Sequence, residues 1–472
     1  MNISRKQFLG GIFAAGSAPA VFSGCRSFRA NRTVNIGVIG FGRIASTFEV
    51  PCVLRRREKA RIVAVCDLYS KRANFGADTI NQAYSDGSKV AVYHDYKELC
   101  ARKDIDAVMI CLPDFWHALV ATTAICSGKA VWLQKPFTQT VIEGRLLANL
   151  AKKYNTVLQV GSQQRSWNVF QTATEVARSG KIGKIKKVEV GIGLDVAGGS
   201  CKAEKVPANF DYETWLGPTD HNVPYNWTRC HNDDLKHIAN RPGWIQLAPY
   251  GWGMITNWGA HHLDIARWGL GAKGPESVEG TCEWMDLSGD KLWNVHTTYD
   301  LHYTFNNGFT DCHVCNKYQM GVKFIGENGW VFCTRGAAKV TPSDPDPVVV
   351  PGQLGPIECS DKELIKGIRP MYADATQEHI DNWLDAVLAE DPSMTVTNAE
   401  GGHLSTGMSS LGQMCMELGR GKKDGFKLDW NVEKESTGKA EYDKLMKPFA
   451  NGKFDLNVNL AEFGLKFADI VG

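Results

Sequence analysis

The chain has almost no surplus charge of either sign: 53 Lys and Arg stand against 51 Asp and Glu, a formal net charge of +2 over 472 residues. No field of one sign is available to gather nucleic acid or an anionic membrane, so a small-molecule partner is expected instead. A hydrophobic run long enough to cross a bilayer is also missing. The longest, Phe8 to Phe22, falls short of the ~20 residues a span needs and is broken by Gly10, Gly11, Gly16 and Pro19. Internal repeats and low-complexity tracts are absent too. What remains, 43% hydrophobic and 22% charged residues, excludes disordered and fibrous classes and is enough for two domains with their own cores.

The first residues differ from the rest. Arg5 and Lys6 precede the apolar run, and Ala18-Pro19-Ala20 offers small residues for cleavage, the pattern of a removable targeting segment. Ser4-Arg5-Lys6-Gln7-Phe8-Leu9 resembles the twin-arginine export signal with Lys in place of the second Arg, and Phe22-Ser23-Gly24-Cys25 resembles a bacterial lipoprotein box. Two mature N-termini are open: Cys25 carrying a lipid anchor, or plain cleavage near Ala20. Both imply export, to the periplasm or as a membrane-anchored bacterial lipoprotein. The 14 cysteines then invite disulfides, but that inference belongs to short chains without a core. Cys66, Cys111, Cys282 and Cys333 sit in apolar or alternating runs, as buried hydrophobes do. Cys312-His313-Val314-Cys315 is the one C-x-x-C, and on a strand its two cysteines face opposite sides, so no metal is expected.

From Val34 onward, short apolar runs alternate with amphipathic segments, which predicts βαβ units and a parallel sheet. Strands are expected near 34–39, 61–66, 106–111, 130–133 and 157–160, with helices such as 118–127 and 140–154 between them. A helix at 167–179 and a strand at 184–191 follow, then alternating runs at 275–284, 294–305, 309–317, 320–326 and 329–334, and helices at 374–390 and 398–419. The expected fold is α/β: an export signal and linker over 1–32, a Rossmann domain over 33–160, and an α+β domain over 161–430 with a largely antiparallel open sheet. A tail over 431–472 packs back. An open sheet of that kind favours a homo-oligomer joined face to face.

Gly40-Phe41-Gly42-Arg43-Ile44-Ala45 places a G-x-G-x-x-A directly after the first strand and before a helix. Gly40 allows the tight turn, Gly42 lets the backbone approach a pyrophosphate, Ala45 permits close helix packing, and the helix start at Arg43 and Ile44 offers free N–H groups. Asp67 ends the second strand, where its carboxylate accepts from adenosine ribose hydroxyls and repels a 2′-phosphate. NAD is favoured over NADP, although Lys71 and Arg72 lie nearby.

Two further runs, Cys111-Leu112-Pro113-Asp114-Phe115-Trp116-His117 and Leu133-Gln134-Lys135-Pro136, give the chain a family resemblance: it is similar to the Gfo/Idh/MocA oxidoreductases. Gln134 stands where that family has the acid of E-K-P. The resemblance implies that Leu112, His117, Gln134, Lys135 and Gln163 join the cofactor site and that Lys135 hydrogen-bonds the reacting hydroxyl. Asn257-Trp258-Gly259-Ala260-His261-His262-Leu263-Asp264 matches the family's D-x-x-x-H-x-x-D except at its first position. His261 is the expected general acid/base, suited by its unperturbed pKa. On a helix Asn257, His261 and Asp264 share one face, so Asn257 is expected to orient the imidazole without charging it, leaving His261 with a lowered pKa.

Arg165, Tyr225, Arg229 and His262 are the expected substrate residues. The first follows the last Rossmann strand, Tyr225 and Arg229 lie in an aromatic-rich region with Trp215, Trp244, Tyr250 and Trp252, whose rings suit a carbohydrate, and His262 stands on the His261 helix pointing roughly 100° away from it. Because no replenished NAD pool is expected outside the cytoplasm, the cofactor should be tightly held and regenerated in place. The expected function is an NAD-dependent oxidoreductase of carbohydrate or polyol hydroxyls. The alternative is an NAD-dependent glycosidase working by transient oxidation, elimination and re-reduction. A third reading, a binding module without turnover, rests on Gln134 and Asn257.

Overall fold

Short runs of Val, Ile, Ala and Leu buried on both faces and separated by amphipathic segments dictate a parallel sheet covered on both sides. In the computed structural model, which describes residues 32–471 except 196, 231–234, 236–237, 306–307, 309, 337–348 and 374, six such runs form it. They are β1 (Val34–Ile39), β2 (Ala60–Cys66), β3 (Ala91–Tyr93), β4 (Ala107–Ile110), β5 (Ala130–Leu133) and β6 (Leu158–Val160). Their order is β3-β2-β1-β4-β5-β6, all parallel, and it reverses between β1 and β4. At that switch point the carboxyl ends of the strands open a crevice. Residues 1–31, over which an export segment and a lipid-bearing Cys25 are expected, lie outside the described residues.

One face of this sheet is covered by the helices His117–Cys126 and Val141–Lys153, the latter started by a Thr140–Glu143 capping box. The chain's last two helices, Leu456–Ala461 and Phe467–Val471, lie on these in turn. The opposite face is covered by Ser70–Tyr84 and by Ala375–Ala389, a helix that arrives from the far half of the chain. There Trp383 packs on Trp132 of β5 with ring centroids 5.7 Å apart, both side chains fully buried. Strand β3 was not foreseen, because Ala91-Val92-Tyr93 is short, partly exposed and carries no alternation.

The second sheet comprises β7 (Ile185–Gly191), β8 (Ser277–Trp284), β9 (His296–Phe305), β10 (Thr310–Cys315), β11 (Gly321–Gly326), β12 (Trp330–Cys333), β13 (Ile357–Cys359) and β14 (Phe426–Asp429). In the order β13-β12-β11-β7-β10-β9-β8-β14, every neighbouring pair is antiparallel except β7 with β10. The alternation of β9 turns Tyr299, Leu301, Tyr303 and Phe305 inward, and that of β10 turns Cys312 and Val314 inward. They meet the helices Asn168–Arg178, Gly259–Leu270 and Ala399–Leu418. The last of these approaches so closely that a Cβ on Gly412 would stand 2.0 Å from the Tyr303 hydroxyl. The edge strands β13 and β14 do alternate, but over only three and four residues, too short a run to be read as strands.

Because Ala375–Ala389 completes a face of the first sheet, Trp383→Ala should cost about 3–5 kcal/mol of stability. The expected readout is an earlier urea midpoint with an unchanged slope, and an unchanged midpoint would show that the helix is not a structural part of that face.

Candidate active site

The glycine loop is set by backbone sterics. Gly40 has φ +86°, and a Cβ there would stand 2.5 Å from the Cys111 carbonyl oxygen, so only glycine makes the turn. A Cβ on Gly42 would meet nothing within 4 Å, and Gly42 lines a cavity of about 780 Å³ at the switch point. Asp67, at the end of β2, accepts from Phe41 N at 2.8 Å and Tyr69 N at 2.8 Å, which ties the loop to the second strand, and it lines the same cavity. A free wall at Gly42, a carboxylate at Asp67 and a helix start between them fit a dinucleotide.

Gly40, Gly42, Arg43, Ile44, Asp67, Leu112, Gln134, Lys135, Gln163, Asn257 and His261 all line this one cavity. His117 does not. It is fully buried behind the wall, its Nδ1 2.7 Å from the Pro136 carbonyl and its Nε2 3.0 Å from the Leu112 carbonyl, where it ties the loops after β4 and β5 together.

The helix start around His261 departs from the simple periodic reading. A short helix, Met254–Asn257, meets Gly259–Leu270 at Trp258, and His261 N bonds back to the Trp258 carbonyl. The Asn257 carbonyl is thereby left for Lys135, whose Nζ donates to it at 2.9 Å. Asn257 therefore holds the lysine through its backbone. Among the described residues no hydrogen bond links its side chain to His261, whose Nδ1 is buried without a partner. Asp264 turns elsewhere, into a two-pronged ion pair with Arg165 at 2.7 and 2.6 Å that also receives the Ser405 hydroxyl.

Burial sets the electrostatics. It lowers the Lys135 ammonium to about 7, with Asp114 opposing and the cations Arg335, Arg241 and Arg43 assisting. It also pushes His261 well below the ordinary imidazole value, with Arg335 and Lys135 adding repulsion.

None of the four expected substrate residues is among the residues lining the cavity. Arg165 is buried and committed to Asp264; Tyr225 is buried in an aromatic cluster with Phe210 and Tyr212. Arg229 donates to Tyr212 Oη at 3.0 Å and the Pro224 carbonyl at 2.7 Å. His262 points its Nδ1 at the Gly191 carbonyl, 2.7 Å away. Of the aromatic region, Tyr225 and Tyr250 fill the core, whereas Trp215 and Trp244 line the cavity. Trp167, Trp258 and Arg335 join His261 in the lining of the cavity, with the Trp258 ring 6.1 Å from that of His261. Arg335 stacks over the Trp258 ring at 4.6 Å. It follows β12 with no motif around it, so sequence reading had no handle on it.

Glu49 was also missed. It ends a π-helical turn, Ala45–Glu49, that follows the glycine loop. Fully buried, its Oε1 accepts from Gln163 Nε2 at 2.9 Å and from the Gln134 amide, while Oε2 has no partner. Gln134 thus meets a carboxyl from another element, at the position where an acid was expected within its own motif. Burial raises the Glu49 pKa from 4.5 to about 8, against the two amide hydrogen bonds. A folded-state pKa raised in this way contributes stability that is complete below pH 4.5 and is lost as pH rises through about 8. The melting temperature of the wild type relative to Glu49→Gln should accordingly fall between those pH values; a constant difference would show that Glu49 does not keep its proton.

Residues 34–162 match the model of a family described as "Oxidoreductase family, NAD-binding Rossmann fold". An uncharacterised oxidoreductase of Schizosaccharomyces pombe is 31% identical over 156 residues, 33% of this chain and 41% of that protein. Inositol 2-dehydrogenase of Salmonella typhimurium is 29% identical over 157 residues, 32% of this chain and 44% of that protein. The matched stretch spans less than half the length of these curated relatives. An aldose-aldose oxidoreductase of Caulobacter crescentus, solved with glycerol, is similar in fold over 79% of this chain and 95% of that one, with a TM-score of 0.54 at 17% identity.

Proposed function

We propose that this chain, whose residues 34–162 match the model of the Gfo/Idh/MocA oxidoreductases, oxidises a carbohydrate or polyol hydroxyl and reduces a second sugar at the same site. The cofactor is an NAD that stays bound throughout. The observation that carries this reading is the convergence of Lys135, the Asn257 carbonyl and His261 on the cavity that the glycine loop opens. Bound there, the nicotinamide supplies two-electron acceptance and return. The protein's part is to place the reacting hydroxyl and move its proton.

Lys135, anchored by Asn257, is placed to hydrogen-bond the reacting oxygen, and its lowered pKa lets it exchange a proton near neutrality. His261 is neutral over the same range and acts as the second proton acceptor. Asp67 favours NAD, since a 2′-phosphate would bring a like charge to its carboxylate, although Arg43 and Arg72 line the same cavity.

Retention is supported by two chain segments beside the cofactor cavity. Asp211 N bonds the Leu68 carbonyl at 3.1 Å and Ser70 N bonds the Asn209 carbonyl at 2.9 Å, so residues 209–215 lie over the end of β2. Lys453 and Phe454 of the tail line the cavity as well, with Phe454 against Trp116 at 5.4 Å. The export expected from the first residues agrees with this reading, because an exported enzyme would have no replenished nucleotide pool to draw on.

Protein purified without added nucleotide and then denatured should release NAD, identified by mass. Lys135→Ala should release the same nucleotide while losing about 100-fold or more in turnover; unchanged turnover would remove Lys135 from the reaction, and a wild type with no turnover on any sugar would favour a binding module. Oxidation by the wild type should rise with pH through about 7, where Lys135 loses its proton, and this limb should vanish in Lys135→Arg. Release of nitrophenol from an aryl glycoside without added nucleotide would instead favour transient oxidation with elimination.

A further inference from the structure

The outer face of the second sheet carries a cluster of metal-ligating side chains remote in sequence from the cofactor motifs. Strand alternation sends Cys312 into the core, fully buried, and turns His313 and Cys315 outward together. The C-x-x-C spacing therefore does not bring two thiols together. The register of β9 and β10 does something the spacing alone cannot show: it pairs Cys315 with Asp300 and His313 with His302.

The result is three different donors in one place. His313 Nε2 lies 2.6 Å from Asp300 Oδ1, Cys315 Sγ lies 4.0 Å from Asp300 Oδ2, and the three ligand atoms all stand within 4.8 Å of one another. The Cys315 thiol forms a buried floor, while the Asp300 carboxylate is half exposed and can adjust. The His302 ring stacks on His313 with centroids 4.1 Å apart, and its Nε2 is 3.5 Å from Asp300 Oδ1. Behind the site, Tyr318 Oη lies 2.6 Å from His313 Nδ1 and receives Lys187 Nζ at 3.1 Å.

We propose that Asp300, His313 and Cys315 form a binding site for a divalent transition-metal ion of the zinc class, with a fourth position left to water. An imidazole nitrogen, a carboxylate oxygen and a thiolate are a borderline-soft set that suits such an ion and not magnesium or calcium. Bonds of about 2.0–2.3 Å place tetrahedral donors roughly 3–4 Å apart, so the set closes with a small movement of Asp300. Binding opens the His313–Asp300 hydrogen bond and releases the Cys315 thiol proton. His313 then ligates through Nε2 with its proton on Nδ1, which donates to Tyr318 Oη, the outer contact that orients a metal-bound imidazole. The ion ties β9 to β10 across the open face.

The competing explanation is a set of cross-strand hydrogen bonds with no affinity for metal, and titration separates the two. Full-length protein, stripped with a chelator and confirmed folded, is titrated with zinc chloride by calorimetry and with cobalt chloride by absorbance. One ion per chain and a thiolate-to-cobalt charge-transfer band are expected. Cys315→Ser should abolish the band, Cys282→Ser should leave it, and Tyr318→Phe should weaken binding about tenfold or more. Absence of saturable binding to the folded wild type overturns the proposal, as does a band that survives Cys315→Ser. If Cys315→Ser does not fold, His313→Gln decides: zinc affinity equal to the wild type overturns the site, and a loss supports it.

Discussion

The buried pair between Arg165 and Asp264 is the contact on which the geometry of the site depends. Arg165 belongs to the turn after β6, and Asp264 to the helix that carries His261, so the pair joins the two sheets at the point where the cavity opens. Ser405 brings in a third element, the Ala399–Leu418 helix. Burial works against the charge on Asp264, yet Arg165, Arg267 and the Ser405 hydroxyl hold the carboxyl below its ordinary range. A pair so enclosed tolerates the loss of neither partner, because the survivor would be an uncompensated buried charge. It fixes His261 and the Asn257 carbonyl at the mouth of β5, where Lys135 emerges.

The same enclosure explains the chemistry. Around Lys135 the protein places more cations than acids, and it removes water from the lysine and from His261 alike. Both are therefore neutral, or nearly so, at a pH where a surface lysine is fully charged. Asp114 alone opposes this for Lys135, itself so buried that its carboxyl is pushed toward the protonated form. The acid missing at Gln134 reappears in Glu49, on a π-turn instead of a strand end. Its raised pKa keeps that region of the wall uncharged.

How much of this was legible depended on whether a residue's neighbours were near in sequence. The glycine loop, Asp67 and Lys135 sit at strand ends where an apolar run meets a turn, and both their placement and their convergence were readable from β1, β2 and β5. His261 was readable from its helix, but the partner of Asn257 was not, because it required knowing that the ladder breaks at Trp258. Arg165 resembled a ligand residue because it follows the last Rossmann strand, and Arg229 because it is charged and stands among aromatics; only the contacts with Asp264 and Tyr212 show that they are struts. Arg335, Glu49 and the Asp300–His313–Cys315 cluster owe their positions to cross-strand register or to an irregular turn. No local pattern encodes either.

In the proposed cycle one enclosed site oxidises a hydroxyl, holds the reduced cofactor and gives its electrons back. Purified protein with its own nucleotide, mixed with a panel of aldoses and polyols and no added cofactor, tests this directly through the absorbance of reduced nicotinamide. The absorbance should rise to no more than one equivalent per chain, stay with the protein through gel filtration, and disappear when a second sugar is supplied. Reduced nucleotide passing into the small-molecule fraction, or a protein that carries no nucleotide at all, would contradict the cycle.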